Sequence, residues 1–341
     1  MKKIVSLLLV IAMILCFAAP VMAETTEEPI KIKALILPKF ENGALTGDFP
    51  GEAQLYYEEY VMGGEEYDIY GSYEGNKLYV KDGIALCVTG VGKVNAALTL
   101  ATIVLDSRFD FSDAYIFSTG CAGSSYGYGV MGDVFVISAT VDIDLGHTAD
   151  GRDIADPEGV TFFPDPSYVN TGYKALNPEL TEKVYNLVKD VKLETTPKTR
   201  NFMAVTFDNA EWAIRDPQVL RGTGVTGDNY WKGMNSHNNA VYACEYYGAA
   251  DPYAVTEMED NAIAVAAYRL GMLDRMIIIR DSVNMDVFMN GATPESLWDP
   301  NFDFTLASEE NVEAADIFKT ARYNNFNVGK IIIDAIIAGE L

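Results

Sequence analysis

The sequence predicts an α/β fold, in which a sheet of strands is covered on both faces by helices. Short runs of β-branched and apolar residues alternate along the chain with longer segments that repeat apolar residues at helical spacing. The strand-like runs are largely apolar, which is typical of strands buried on both sides. Apolar residues make up 49% of the 341 residues, enough to build one large core.

The elements follow from these patterns in chain order. The predicted strands are residues 32–37, 84–89, 114–118, 134–141 and 276–279, and the predicted helices are residues 92–105, 180–188, 261–270 and 328–337. Gly271 marks the end of helix 261–270. Residues 145–217 are polar and proline-rich with one predicted helix, so we expect them to cover the site. No repeat or linker divides residues 24–341, which are predicted to form one domain.

The first 23 residues have the organisation of an export signal. Lys2 and Lys3 precede an apolar run over residues 4–18, and residues 21–23 end in a small-residue cleavage site. An anchor helix is the alternative, but the apolar run is short for a bilayer span. We therefore expect export to the periplasm or outside the cell, with cleavage after Ala23.

Charge and composition exclude several function classes. The chain has 25 basic and 49 acidic residues, for a net charge of −24. Loss of Lys2 and Lys3 would make it −26, which disfavours nucleic acids, anionic lipids and strongly anionic substrates. No later stretch is long enough to span a membrane. The histidines, His147 and His237, lack metal spacing and no Cys-x-x-Cys occurs, so no metal site is expected.

Polar residues gather around the last predicted strand and the helix before it. Three follow strand 276–279, namely Arg280, Asn284 and Asp286. Two more, Glu257 and Glu259, flank Met258 where helix 261–270 begins. Charged and amide side chains at the mouth of a buried strand are poor core material. They make good ligand contacts, because open α/β sheets bind ligands at the carboxyl ends of their strands.

Two glycine-containing turns follow strands. Residues 90–97 open a helix, where Gly92 would let a backbone amide approach a polar ligand, although a plain β–α turn is the alternative. The spacing is neither that of a P-loop nor that of a dinucleotide fingerprint. In residues 119–125, the small residues Cys121, Ala122 and Gly123 would let a flat ring lie against the backbone. We expect the Cys121 thiol to be packed and unreactive.

A third turn carries aromatic residues. Asp228 follows Gly227, and Tyr230 and Trp231 come directly after it. An aromatic pair is often simply core packing. Its position on a turn favours stacking on a ligand ring instead.

These segments resemble the nucleoside phosphorylase and nucleosidase superfamily, and within it the purine nucleoside permease family, whose members read much like residues 256–260 and 280–286 here. The resemblance runs from about residue 32 to about residue 297. It implies a single-domain, three-layer α/β/α fold with a central mixed sheet. It also implies that Glu259 and Met258 hold a ribose, that Tyr230 stacks on a purine, and that His147 either contacts a ribose hydroxyl or is a surface histidine.

The resemblance further implies roles in cleavage of an N-glycosidic bond. In nucleosidases, a glutamate after the first strand acts on the attacking water, and Glu41 stands at a comparable place, with an ordinary loop glutamate as the alternative. Glu41 and Arg280 would form the water-activating pair. Asn284 can donate a hydrogen bond to the leaving base but cannot deliver a proton at neutral pH. Asp286 would supply an acid if burial raised its pKa.

The implied ligand is a purine nucleoside such as adenosine, guanosine or inosine. One function is cleavage, by water rather than phosphate because no arginine lies close to the Gly92 turn. The alternative is a non-catalytic protein that binds nucleosides for uptake. No cofactor is expected, and phosphate would be a co-substrate only in phosphorolysis. A homo-oligomer is left open.

Overall fold

The computed structural model describes residues 28–150, 159–288, 290, 292–293 and 312–341, so the expected export signal lies outside the described residues. The strands are β1 (Ile30–Lys31), β2 (Ala34–Leu37), β3 (Glu65–Asp68), β4 (Lys77–Lys81), β5 (Ile84–Leu86), β6 (Phe109–Asp110), β7 (Tyr115–Ser124), β8 (Val134–Asp142), β9 (Gly146–Thr148), β10 (Phe162–Pro164), β11 (Tyr173–Ala175), β12 (Val219–Thr226), β13 (Tyr253–Glu257) and β14 (Met276–Met285).

The helices are α1 (Gln54–Tyr56), α2 (Lys93–Val104), α3 (Val169–Gly172), α4 (Pro178–Val188), α5 (Pro197–Thr206), α6 (Met234–Tyr246), α7 (Asp260–Arg269) and α8 (Val312–Ala338). A wider helical turn, Tyr57–Val61, continues α1. In the part of the chain that is described, no helix combines the length and the apolar character needed to cross a membrane.

The main sheet is mixed, as expected. Its strand order is β11-β8-β12-β13-β7-β2-β5-β4-β3, and β14 pairs with both β7 and β8. β14 is parallel to β7 and antiparallel to β8, whereas β13 is antiparallel to β7. The strands β7, β13, β12, β8 and β14 therefore close into a ring. All ten residues of β14 are buried as a result.

Two apolar layers cover the two faces of the sheet. Along β2, Leu35 and Leu37 pack into a core with residues of α2 and α7, while Ala34 and Ile36 pack into a second core with residues of α4 and α8. The alternation follows from the two-residue period of a strand. Each fully buried leucine or isoleucine contributes about 1.5–3 kcal/mol to folding. The three-layer α/β/α prediction is confirmed.

Several element boundaries differ from the prediction. The strand predicted to end at residue 279 continues to Met285. The closed ring of strands encloses its polar residues and supplies their hydrogen-bond partners. Thr256 and Glu257, which were read as leading into helix 261–270, are the end of strand β13, and α7 begins at Asp260, one residue before the predicted start. The helix predicted at 328–337 is the end of the longer α8.

Other elements were not predicted. The edge strand β3 is mostly polar, its neighbour β4 has only five residues, and β12 contains two glycines. Residues 145–217, expected to hold one helix, contain α3, α4 and α5 with three short strands, and β11 joins the main sheet. Asn177 and Thr196 cap α4 and α5 with their side chains, which is a local signal for both helix starts.

Candidate functional site

Buried charged side chains cluster where β2, β7, β13 and β14 run side by side. The members are Lys39, Glu52, Glu257, Glu259, Asp260, Arg280, Asp281 and Arg322, each at most 4% exposed. Charged groups are seldom buried unless they are paired or used. A buried charge cluster at a strand edge is therefore a candidate functional site.

Arg280 lies at the centre of the cluster. Its Nε donates to Asp260 Oδ2 at 2.7 Å, and its Nη2 lies 3.1 Å from both Glu257 Oε2 and Glu259 Oε2. Its Nη1 donates to the carbonyl of Cys121 at 3.0 Å. Burial lowers the pKa of Arg280, but the three carboxylates outweigh it and hold the pKa above its ordinary value. Arg280 is thus a fixed cation that orients carboxylates. We expected it to pair with Glu41, but Glu41 is not among these partners.

Glu257 links the end of β13 to the start of α7. Its Oε2 accepts the backbone N–H groups of Glu259 and Asp260, each at 2.7 Å, and Thr226 donates its hydroxyl to Oε1. These bonds satisfy amides that the first turn of a helix leaves unpaired. Burial, followed by the nearby Asp260 charge, raises the pKa of Glu257 to about 8, with Arg280 opposing the shift.

Glu259 contacts the glycine turn before α2. Its Oε1 accepts the N–H of Gly92 at 3.0 Å. Gly92 has φ +94°, a conformation that side chains disfavour, so the residue must be glycine to present its amide this way. Burial raises the pKa of Glu259, and Arg280 and Lys39 oppose this. Met258, between the two glutamates, is half-buried.

A second acidic network holds the same turn from outside. Lys93 Nζ donates to both oxygens of Asp142 at 3.1 Å and to Asp144 at 2.8 Å. Asp228 accepts the backbone N–H of Lys93 at 2.8 Å. Asp228, expected to bind substrate, therefore ties its own turn to α2, and Lys93 was not foreseen in this role.

Glu52 is a member of the cluster that the sequence analysis missed. Its Oε2 accepts the backbone N–H of Lys39 and its Oε1 that of Cys121, each at 2.7 Å. A Cβ at Gly120 would lie 2.8 Å from both Glu52 oxygens and from Arg280 Nη1, so only glycine fits there.

Glu41 has a different environment from the one expected. Its carboxylate accepts four backbone N–H groups: Asn42 at 2.8 Å, Ala53 at 2.9 Å, Gln54 at 2.6 Å, and Gly51. Four bonds use the four lone-pair positions of a carboxylate. Glu41 therefore fastens the loop before α1, and its geometry does not suit a general base.

Asn284 and Tyr230 lie together beyond the charge cluster. Asn284 Nδ2 lies 3.3 Å from the Tyr230 hydroxyl and 3.2 Å from the Met285 carbonyl. A Cβ at Gly123 would lie 2.8 Å from that same nitrogen, so Asn284 sits directly against β7. Tyr230 is 48% exposed, whereas Trp231 packs into an apolar cluster with Val225. Of the two aromatic residues, Tyr230 is the one open to a ligand.

Asp286 is engaged on the far side of Asn284. It is fully buried, and its Oδ2 lies 2.9 Å from the Tyr253 hydroxyl and 2.8 Å from His237 Nδ1. Its Oδ1 accepts the N–H of Tyr126. These bonds hold the end of β14, so the structure shows Asp286 as an anchor and not as an acid facing the cluster.

The structure also places three further candidates, His147, Cys121 and Ala122. His147 lies on the exposed hairpin of β9 and β10, with Nε2 3.1 Å from Asp165 Oδ2, and its contacts do not reach the charge cluster. Burial raises the pKa of the Cys121 thiol to about 12, as does the neighbouring Glu52 charge, so the thiol stays protonated. Ala122 is buried between Cys121 and Gly123.

The last helix reaches the cluster from the other side. Arg322 is ion-paired with Asp281, and Asn325 Nδ2 donates to Asp281 Oδ1 at 2.9 Å. Both Arg322 and Asn325 precede the predicted helix 328–337, so the sequence analysis did not identify them. Within the described ranges, no group of three or more His, Cys, Asp or Glu side chains is arranged to hold a metal ion.

Known proteins match both the sequence and the fold. A probable purine nucleoside permease of Schizosaccharomyces pombe is 26% identical over 231 residues, covering 60% of this chain and 64% of that protein. A purine nucleoside permease of Candida albicans is 25% identical over 218 residues, covering 58% of this chain and 53% of that protein. The chain thus matches between half and two thirds of the length of these relatives.

Solved structures show the fold. A methylthioadenosine/S-adenosylhomocysteine nucleosidase of Streptococcus pneumoniae superposes with a TM-score of 0.54 at 15% identity, covering 89% of this chain and all of that one. A futalosine hydrolase mutant of Helicobacter pylori gives 0.53 at 15% identity, covering 88% and 99%. The family model of purine nucleoside permeases matches residues 31–339. The chain therefore belongs to the purine nucleoside permease family.

Proposed function

We propose that this protein binds purine nucleosides at the cluster and hydrolyses their N-glycosidic bond. The observation that carries the proposal is the register of β14 on β7. Arg280 pairs with Gly120, and Asn284 pairs with Gly123. The charged end and the amide end of the site are therefore about 10 Å apart along β7. That spacing suits a sugar at one end and its base at the other.

The base would lie against Gly123, with Tyr230 over its face. Tyr230 offers an exposed ring, and an offset stacked pair contributes about 0.5–1.5 kcal/mol beyond the buried area. Asn284 Nδ2 would exchange its 3.3 Å contact with the Tyr230 hydroxyl for a bond to a purine nitrogen. Met258 is half-exposed beside this space and would pack on the sugar.

Carboxylates of the charge cluster would interact with the ribose. Breaking the bond builds positive charge on the ribose ring, and a nearby carboxylate stabilises that charge. Glu259 would also accept ribose hydroxyls. Glu52 takes the role of general base that was expected of Glu41. Two backbone amides aim it, and its remaining lone pairs are available to a water molecule.

The charge of the cluster favours water over phosphate. It contains five carboxylates and three cations, and Arg280 already serves three of those carboxylates. An entering phosphate would meet an overall negative field. Lys39 gives it no free donor either, because Nζ bonds to the Leu37 carbonyl, Ser118 Oγ and the Thr119 carbonyl.

The second candidate is a binding protein without turnover. Asn284 favours it, because an amide holds the base but delivers no proton when the base leaves. The names of the family and of its relatives, which describe permeases, point the same way. In that case the same contacts would serve recognition for uptake.

One assay separates the candidates. Purified protein is incubated with adenosine, inosine and guanosine, with and without phosphate, and free base is followed by chromatography. Free base at a rate independent of phosphate supports hydrolysis. Bound but intact nucleoside supports the binding role, and ribose 1-phosphate as the product would establish a phosphorylase. Failure of all three nucleosides to bind would reject both candidates.

We also propose export, supported by the signal-like residues 1–23. N-terminal sequencing of protein recovered outside the producing cells should begin near Glu24. Protein that remains in the cytoplasm with residues 1–23 attached would contradict export.

A further inference from the structure

The C-terminal helix inserts one cation between two carboxylates of the site. Arg322, 3% exposed, is ion-paired with Asp281, and its Nη1 lies 3.6 Å from Glu52 Oε1. Its guanidinium group also lies 5.1 Å from the centre of the Phe318 ring. Arg322 therefore joins a residue of β14 to the glutamate that precedes α1.

A second side chain of α8 braces the same place. Asn325 Oδ1 accepts the hydroxyls of Tyr56 and Thr119, each at 2.7 Å, and its Nδ2 donates to Asp281. Asn325 follows Arg322 by one helical turn, so both side chains project from one face. The two residues hold Asp281 from both oxygens, which fixes the guanidinium group relative to Glu52.

Attachment of the helix does not require this cation. Val328, Ile332, Ile333 and Ile336 of α8 are buried in the core that also contains residues of β2 and α4. Apolar burial of this kind is the main source of stability, whereas a buried ion pair often adds little compared with apolar residues of similar size. The contact with Glu52 therefore calls for a reason other than docking of the helix.

We propose that Arg322 is a positioning residue, which keeps the Glu52 carboxylate aimed for the attack of water. This inference rests on the proposed hydrolysis. A cation beside one oxygen of a carboxylate fixes the orientation of the group, and a general base must point at the proton that it takes. The final helix would thus take part in the reaction through Glu52 without touching the substrate.

Other groups also face Glu52. They are the cations Lys39 and Arg280, the acidic Glu259, and the weakly acidic Tyr56 and Cys121. Lys39 and Arg280 direct their side-chain donors to other acceptors. Among the described residues, Arg322 is the cation whose side chain forms an ion pair with Glu52.

The test compares Arg322→Met and Arg322→Lys with Lys319→Met, which removes a positive charge from an exposed position one turn earlier in α8. We expect Arg322→Met to lower kcat about 10–100-fold while the Kd of the nucleoside changes less than about twofold. Arg322→Lys should recover part of the rate, and Lys319→Met should match the wild type.

A purely structural role is tested by the double variant Arg322→Met/Asp281→Asn, which removes both members of the buried pair. We expect the double variant to regain thermal stability but not kcat. A rate restored together with stability, or a folded Arg322→Met protein with wild-type kcat, would overturn the inference. Loss of folding in Arg322→Met, Arg322→Lys and the double variant alike would also overturn it, by assigning Arg322 to the fold. A wild type that binds but never cleaves nucleosides would instead remove the proposed function, before any variant is made.

Discussion

Two glutamates before α1 sit close together in sequence but in different surroundings, and the first prediction separates them. Glu52→Gln should lower kcat at least about 100-fold and leave the nucleoside Kd nearly unchanged, because base catalysis acts in the transition state. Glu41→Gln should keep most of the rate but lower Tm, since weakened capping costs about 0.5–2 kcal/mol. Steady-state kinetics, calorimetry and thermal melts measure all three. The reverse pattern would return the role of base to Glu41.

Asn284 provides the second prediction at the scale of one residue. Asn284→Ala should weaken nucleoside binding and turnover together, because a purine nitrogen loses its donor in both the ground and transition states. Asn284→Asp should speed base release if the new acid stays protonated in this buried place. Calorimetry and single-turnover assays measure the two effects. Unchanged affinity in Asn284→Ala would place the base elsewhere.

The residue types of the site were readable from the sequence, but their partners were not. Arg280 and Glu259 were identified because polar residues stood out beside apolar runs. Glu52 was missed because its proximity to Cys121 depends on a sheet contact that no local pattern encodes. The same applies to Arg322, which approaches from the opposite end of the chain.

At the scale of elements, strand β7 lines the site, and the third prediction concerns its Gly120. In Gly120→Ala, the added Cβ would press on Glu52 and Arg280 at 2.8 Å, so we expect a loss of about 1–3 kcal/mol in stability and a large loss of activity. Gly224→Ala in β12 is the matched control, because its nearest neighbour would be 3.5 Å away. Urea unfolding and the nucleoside assay measure the two. Equal behaviour of the variants would contradict the close packing at Gly120.

Elements with a strong periodicity of apolar residues were predicted from the sequence, whereas elements defined by long-range strand pairing were not. Helix α2 and strand β8 were located to within about a residue at each end. Strand β13 was missed because its last residue, Glu257, was read as leading into helix 261–270, and its contact with Arg280 comes from the distant strand β14. Strand β14 seemed to stop at its first charge, because only the closed ring shows where that charge is satisfied.

For the molecule as a whole, the buried carboxylates predict an unusual dependence of stability on pH. The pKa of Glu257 rises from 4.5 to about 8 on folding, so between these pH values the folded state holds a proton that the unfolded state has lost. Stability should therefore fall as pH rises from about 4.5 to 8, by at most about 1.4 kcal/mol per pH unit for one proton. The raised pKa of Glu259 acts in the same direction.

Asp260 affects the pH dependence of stability in the opposite direction, and in a more acidic pH range. Burial acts to raise its pKa, but Arg280 outweighs burial and lowers it, so its contribution is lost only as pH falls below about 3.8. In the window above pH 4.5, Glu257→Gln should flatten the curve of unfolding free energy against pH. Glu245→Gln, at an exposed position of α6, is the control and should leave the slope unchanged. Denaturant titrations at pH 5, 6, 7 and 8 decide between these outcomes.

The closed ring of five strands also determines when the site can form during folding. Its last member, β14, lies far along the chain from its partners β7 and β8, and closing such distant pairs is slow. Until β14 arrives, β7 and β8 each keep an unpaired edge, and Arg280 and Asn284 are not yet in place. A chain that ends before β14, whether nascent or shortened, should therefore show no activity. If the protein is exported as proposed, this late closure keeps the precursor loose enough to be threaded through a secretion channel before it folds.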